Sequence, residues 1–147
     1  MPDSTNLNFP AVKMRVKRIG DATYVWDSLR GKYLLLTPEE RVRRYAIGFL
    51  VSHCNIPATS LVQEYPVPLN GMSQRADIVA VDASARPLML VECKAPDVRI
   101  DADVFAQAVR YNSVVGARYV VLTNGITHFC YECGNGEYRA MREFPRF

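Results

Sequence analysis

Asp77, Glu92 and Lys94 are the residues whose types and spacing could do chemistry. Asp77 stands just ahead of the apolar run 78–81, Glu92 and Lys94 just after the apolar run 88–91, and a polar turn at 82–86 joins the two. Both runs are short, rich in Val, Leu and Ile, and bounded by turn residues, which predicts neighbouring strands of a mostly buried hairpin. Side chains alternate along a strand, so Glu92 and Lys94 share a face and Cys93 points to the other. Antiparallel pairing then brings Asp77 opposite the Glu92–Lys94 end. Charges are rarely left half-buried unless paired or bound to a metal. Two adjacent carboxylates suit a hard divalent cation such as Mg²⁺. A lysine beside that ion could position or deprotonate an attacking water. The same three charges also suit a plain internal ion pair.

Asp77 followed by Glu92-Cys93-Lys94 resembles the D…ExK core of the PD-(D/E)XK nuclease superfamily. Four motifs in order, TPEERVRR at 37–44, VECKAP at 91–96, QAVRY at 107–111 and VLTNG at 121–125, resemble one branch of it, the N-terminal nuclease domain of type I restriction enzyme R subunits. The resemblance covers 33–131. It implies an α/β, restriction-endonuclease-like three-layer sandwich, with a central mixed β-sheet flanked by helices. It implies an endodeoxyribonuclease that hydrolyses DNA phosphodiester bonds with Mg²⁺, for which Mn²⁺ substitutes. Asp77 and Glu92 would hold the ion, the backbone carbonyl of Cys93 would add a ligand, and Lys94 would orient or activate the water. A glutamate of the first helix often joins such sites; the resemblance points to Glu40, with Glu39 as the nearby alternative. Gln107 and Tyr111 match the Q-x-x-x-Y signature that helps hold DNA or the catalytic lysine. DNA is the implied partner, together with a separate helicase or other restriction-modification subunit. A homodimer would supply the two sites that cutting both strands needs. The alternative on the same fold is a non-cleaving module that binds nucleic acid or a partner subunit.

The elements that must position these residues follow along the chain. Residues 1–10 are polar with two prolines and read as a loose tail. From 11 to 19, Val12, Met14 and Val16 alternate with Lys13, Arg15 and Lys17, as in a half-exposed strand. A turn at Gly20-Asp21 and a returning strand at 23–26 make an N-terminal β-hairpin, with 27–32 as a polar link. The basic face could track a phosphate backbone, or only block edge-to-edge pairing. Thr37-Pro38-Glu39-Glu40 is a helix start, with a threonine cap, a proline at the first position and a glutamate three after the cap. Val42, Tyr45, Ala46, Phe49 and Leu50 then recur at helical spacing to about Cys54, leaving Arg41, Arg43 and Arg44 largely off the stripe. Taken alone, Glu40 could cap this helix, pair with Arg44 one turn on, or face the site.

A strand is expected at 61–68, at an edge or ending early because of Pro66 and Pro68, with Glu64 on its solvent side or contributing a further acid. After Lys94, Ala95-Pro96 breaks the strand, and Asp101 caps a helix to about Val115 with Val104, Phe105, Ala108 and Val109 as its stripe. Gln107 and Tyr111 lie one turn apart and share a face. Their neutral groups suit orienting a phosphate or an ammonium, or belong to an ordinary amphipathic helix. Gly116 ends the helix. Strands at 117–122, 126–132 and 137–144 complete a mixed sheet. The expected organisation is one domain over 1–147: tail 1–10, hairpin 11–32, core 33–132 and C-terminal strand 133–147.

At 147 residues, 49% apolar and 22% charged, the chain has the composition of a single globular domain. No apolar run approaches the length of a membrane span, and the start lacks the basic-then-apolar pattern of a secretory signal, so a cytoplasmic protein without a membrane role is expected. A net charge of +3 permits contact with nucleic acid without demanding it. Cys130 and Cys133 form a lone C-x-x-C with His128 nearby; zinc needs four ligands, so reduced cysteines are the simpler reading. No Gly-rich phosphate loop is present, so ATP is not expected here.

Overall fold

The computed structural model describes residues 6–147; the expectation for 1–5 lies outside the described residues. Three antiparallel strands come first: β1 (Val16–Ile19), β2 (Ala22–Asp27) and β3 (Lys32–Leu35), in the order β1-β2-β3. The expected hairpin is therefore present and gains a third strand. The alternation that suggested a strand from Ala11 becomes a ladder only at Val16, which pairs with Val25. Asp27, expected in a polar link, ends β2 opposite Lys32.

Helix α1 (Pro38–Ser52) starts as the sequence dictates. Thr37 Oγ1 accepts from the Glu40 N–H at 3.0 Å, and Pro38 occupies the first turn, where a missing N–H costs nothing. Val42, Ala46 and Leu50 are buried as expected. Arg43 and Arg44 are buried too, against expectation, because carboxylates wait for them on that face.

The main sheet has six strands in chain order: β4 (Leu61–Leu69), β5 (Met72–Val81), β6 (Pro87–Cys93), β7 (Tyr119–Thr123), β8 (His128–Gly134) and β9 (Glu137–Met141). All pairs are antiparallel except β6 with β7, which are joined by a crossover through α2 (Ala102–Val115). Strand β4 lies at the sheet edge, as its prolines require. Its hairpin with β5 closes through Asn70 and Gly71 at φ of 52° and 74°, the two left-handed residues a tight I′ turn needs. Helix α2 is capped by Asp101, whose Oδ1 accepts from the Asp103 and Val104 N–H groups, and stops at Gly116 with φ of 73°.

The layers follow from strand alternation. Ile78, Ala80, Val91 and Cys93 pack with Val42, Ala46 and Leu50 of α1, while Val79, Leu90, Val120 and Leu122 pack with Ala108 and Tyr111 of α2. The result is a three-layer sandwich with a mixed sheet at its centre. Residues 6–10 are not loose. The Asn8 N–H donates to the Gly125 carbonyl at 2.6 Å, and Leu7 and Phe9 pack on the α1 side of the core, because that end of the sheet leaves apolar surface to cover. Among the described residues no helix is long and apolar enough to cross a membrane.

Candidate functional site

The hairpin β5–β6 does what its sequence pattern requires. Ile78 pairs with Val91, so Asp77 and Glu92 stand opposite one another one step further along. Each carboxylate binds the other strand's backbone: the Asp77 N–H donates to Glu92 Oε1 at 3.1 Å, and the Cys93 N–H donates to Asp77 Oδ2 at 2.7 Å. Glu92 is 6% exposed. Burial pushes its carboxyl up to about 8, and the neighbouring Asp77 charge adds to the rise. Burial also raises Asp77, although the Cys93 N–H and Arg43 oppose it. Two carboxylates in one partly dry place do not both ionise unless a cation lies between them; without one, one of the two keeps a proton.

Lys94 follows immediately, half-buried, its N–H donating to the Thr123 carbonyl of β7 at 2.8 Å. Among the described residues its ammonium makes no salt bridge, yet its charge favours ionisation of Asp77, Glu92 and Glu39. A lysine near three carboxylates and closed on none of them is available to something else. Cys93 sends its thiol into the α1 layer and leaves its backbone between Glu92 and Lys94.

Helix α1 supplies the third side. Glu40 is committed elsewhere: its Oε2 lies 2.8 Å from Arg44 Nε and its Oε1 lies 3.7 Å from Arg43 Nε. The 2.8 Å approach is a charge contact off the N–H axis, since neither atom makes a hydrogen bond. Glu39, on the solvent side of the same turn, has its carboxyl raised first by burial and then by the Asp77 charge, with Lys94 opposing. The helix-borne carboxylate that senses Asp77 and Lys94 is thus Glu39, while Glu40 pairs with arginines. Arg43 touches both groups, its Nη2 lying 3.5 Å from Asp77 Oδ1.

Gln107 and Tyr111 meet each other across one turn of α2. Gln107 Nε2 donates to the Tyr111 hydroxyl at 2.8 Å, and that hydroxyl donates to Gln74 Oε1 of β5 at 3.3 Å. The pair is tied to the strand that carries Asp77, and neither side chain hydrogen-bonds Lys94 or a carboxylate. Glu64 lies opposite Asp77 in the register, where the β4–β5 ladder skips a pair and its φ is 52°. Its carboxylate turns away to Arg30 Nη1 at 2.6 Å.

A buried polar group escaped the sequence reading. Asp27 is 0% exposed and takes hydrogen bonds from the Leu29 N–H, from Arg30 Nε at 2.5 Å and from Gln63 Nε2 at 3.0 Å, with Arg44 Nη1 at 3.2 Å. Burial alone would raise this carboxyl, but Arg30 and Arg44 hold it below the ordinary range. Gln63 Oε1 in turn accepts from Arg30 and Arg44. One signal was available: Gln63 is a polar residue on the apolar side of β4.

The donor set fits a hard cation in part. No cluster of three His, Cys, Asp or Glu side chains poised for a metal exists among the described residues. Mg²⁺, however, is held by one or two carboxylates with waters and substrate phosphate completing its shell. Asp77 and Glu92 supply two carboxylates, and the raised Glu92 carboxyl is what a cation would relieve. Cys130 lies in the α1-side core with its thiol pushed up to about 12 by burial, which makes it a poor metal ligand.

Three comparisons bear on this geometry. Residues 38–145 match the family described as type I restriction enzyme R protein N terminus. The fold is similar to a solved fragment described as a candidate HsdR subunit of a type I restriction enzyme from Vibrio vulnificus YJ016. The TM-score is 0.56 and the identity 21%, over 76% of this chain and 24% of that one. At that identity the likeness is one of fold, and the chain spans about a quarter of the other's length. No curated protein matches.

Proposed function

The chain belongs to the family of type I restriction enzyme R protein N-termini, and from that premise we propose that it is a Mg²⁺-dependent endodeoxyribonuclease domain with its site at Asp77, Glu92 and Lys94. One observation carries the reading. Two facing carboxylates, Asp77 within β5 and Glu92 near the end of β6, are held by backbone N–H groups but left short of positive charge, beside a lysine that pairs with neither.

Asp77 and Glu92, with the Cys93 carbonyl, would hold the ion. Bound there, Mg²⁺ would supply Lewis-acid stabilisation of the phosphate charge. Lys94 would orient the attacking water and offset charge growing on the phosphoryl oxygens. Water attacks phosphorus and the 3′ oxygen leaves, so no side-chain nucleophile is needed. Glu39 would complete the acidic rim, and Glu40 would act through Arg43, which touches Asp77. Gln107 and Tyr111 would hold β5 in place through Gln74. In this reading DNA is the substrate, another restriction-modification subunit supplies the motor, and a second copy is needed to cut the opposite strand.

The test is nicking of supercoiled plasmid with Mg²⁺ or Mn²⁺. Wild type should nick, while Asp77→Asn, Glu92→Gln and Lys94→Ala should each lose about 10²–10³-fold in rate and remain folded. A wild type that binds DNA, never nicks and gains no thermal stability from Mg²⁺ would leave only a binding module on this fold.

A further inference from the structure

The sheet β1–β3 precedes the family-matched segment 38–145, so its role is not carried by that match. Its two faces differ sharply. On the inner face, Val25 and Asp27 are fully buried. On the outer face, register places Lys17 opposite Tyr24, and Tyr33 opposite Trp26. The Arg15 carbonyl accepts from the Trp26 N–H at 2.8 Å, which extends that face by one residue.

Basic and aromatic groups interleave there. The Arg15 guanidinium lies 5.1 Å from the Trp26 ring centre and 5.8 Å from that of Tyr33, the Lys17 ammonium lies 3.9 Å from Tyr33, and the two rings meet edge to face at 5.0 Å. Such contacts hold flexible cations in place without neutralising them, so their remaining N–H groups stay free for an anion. Ile19 and Leu35, 59% and 51% exposed, flank the cluster. From Lys13 to Lys32 there are six basic residues against Asp21 and Asp27, a net +4, whereas the whole chain is +3 and the remainder therefore −1. Asp27 is consumed on the inner face by Arg30 and Arg44. Arg30 likewise pairs inward, with Asp27 and Glu64, while register puts Arg18 and Lys32 on the face of Thr23 and Asp27, so Arg15 and Lys17 are the cations that stand over the outer aromatic pair. Edge blocking would require only the lysines; it gives no reason for a Trp–Tyr pair beneath them.

The sheet is also tied to the candidate site. Asp27, next to Trp26 in β2, contacts Arg44; Arg44 contacts Glu40, Glu40 contacts Arg43 and Arg43 contacts Asp77, each step under 4 Å. A strand held on this face is held in a fixed relation to Asp77. We propose that the outer face of β1–β3 is a DNA-backbone platform, on which Arg15 and Lys17, pre-positioned by Trp26 and Tyr33, take phosphates of the DNA. This rests on the reading that DNA is the substrate.

The experiment is anisotropy of a labelled duplex of roughly 30 base pairs with the full chain in EDTA, across about 50–200 mM KCl. Each phosphate neutralised adds about 0.9 to the slope of log K against log salt, so Arg15→Gln/Lys17→Gln should lower the slope by about 1.8 and weaken binding roughly 60-fold near 0.1 M. The charge-keeping swap Arg15→Lys/Lys17→Arg should keep the slope. Both residues are exposed, so thermal melting should not move. A double variant with wild-type slope and affinity overturns the platform, whether or not the chain nicks plasmid. A chain that binds with the expected loss but never nicks retains the platform and loses the nuclease reading. A chain that binds no duplex overturns the platform, and plasmid nicking then decides the nuclease reading separately.

Discussion

Asp27 and Glu92 are both acidic residues sunk into the fold, at 0% and 6% exposure, yet their surroundings push them in opposite directions. Asp27 receives two guanidinium groups, two backbone N–H groups and a glutamine amide, and its carboxyl lies below the ordinary range despite burial. Glu92 receives one backbone N–H and faces a second carboxylate, and its carboxyl rises to about 8. Burial raises both carboxyls and so cannot by itself account for the difference between them. What separates them is whether the chain brings enough positive charge. A carboxylate that serves the fold is saturated with donors; one left short of them is what the proposed Mg²⁺ site would use.

The sharpest way to break this comparison is to remove the saturated member. Asp27→Ala leaves Arg30 and Arg44 facing no counter-charge at that point, so unfolding stability at pH 7 should fall by about 3–5 kcal/mol in urea titration. Asp77→Asn should cost far less stability, since it removes one of two mutually repelling charges. If the Asp77 variant is the less stable one, the division into structural and functional carboxylates is wrong.

The two carboxylates also give opposite pH slopes. A carboxyl lowered in the folded state contributes stability above its unfolded value, 3.8 for Asp27, and that contribution is lost as pH falls through the folded value. A raised one binds more protons folded than unfolded. Glu92 therefore stabilises below 4.5 and loses that contribution as pH rises toward about 8. The metal-free chain should lose up to about 1.4 kcal/mol per pH unit in that window. Glu92→Gln keeps an oxygen for the Asp77 N–H and should flatten the slope, and Mg²⁺ should do the same in the wild type. A wild-type slope that neither the variant nor Mg²⁺ changes would show that this pair is not what titrates.

How much of this was legible beforehand depends on the range of the interaction. Thr37, Asp101 and Gly116 act on their own helices, and the hairpin that sets Asp77 against Glu92 is closed by a five-residue turn, so local rules placed them. On sequence alone Asp27 belongs to a polar link, because its partners, Arg44 and Gln63, come from α1 and β4. Only the tertiary fold assembles that set. The same reason misplaced Arg43 and Arg44: a helical stripe of apolar residues says nothing about carboxylates arriving from another sheet. Glu39 and Glu40 are neighbours in sequence, and only the position of those arginines decides that Glu40 is taken up by them. The docking of Leu7 and Phe9 was hidden likewise, in a segment whose composition gave no periodic signal.

Arg43 sharpens the comparison most finely, because it stands between the two environments. It lies 3.5 Å from Asp77 and 3.7 Å from Glu40, longer than the Asp27 contacts, and its buried Nε has no hydrogen-bond partner. It is thus a loosely held positive charge at the edge of the proposed cation site. Arg43→Gln removes that charge and keeps much of the side chain's length. Repulsion between a guanidinium and an ion bound at Asp77 is worth about 1 kcal/mol in a water-like dielectric, so the variant should bind Mg²⁺ roughly five-fold more tightly in a thermal-shift titration. Asp77 would lose a group that favours its ionisation, so the pH at which Mg²⁺ begins to stabilise the fold should move upward. Tighter binding with an upward-shifted onset is the signature of a charge that competes with the ion. Weaker binding at every pH would instead make Arg43 a scaffold for the Asp77 carboxylate, and the boundary between the two environments would then fall at Asp77 itself.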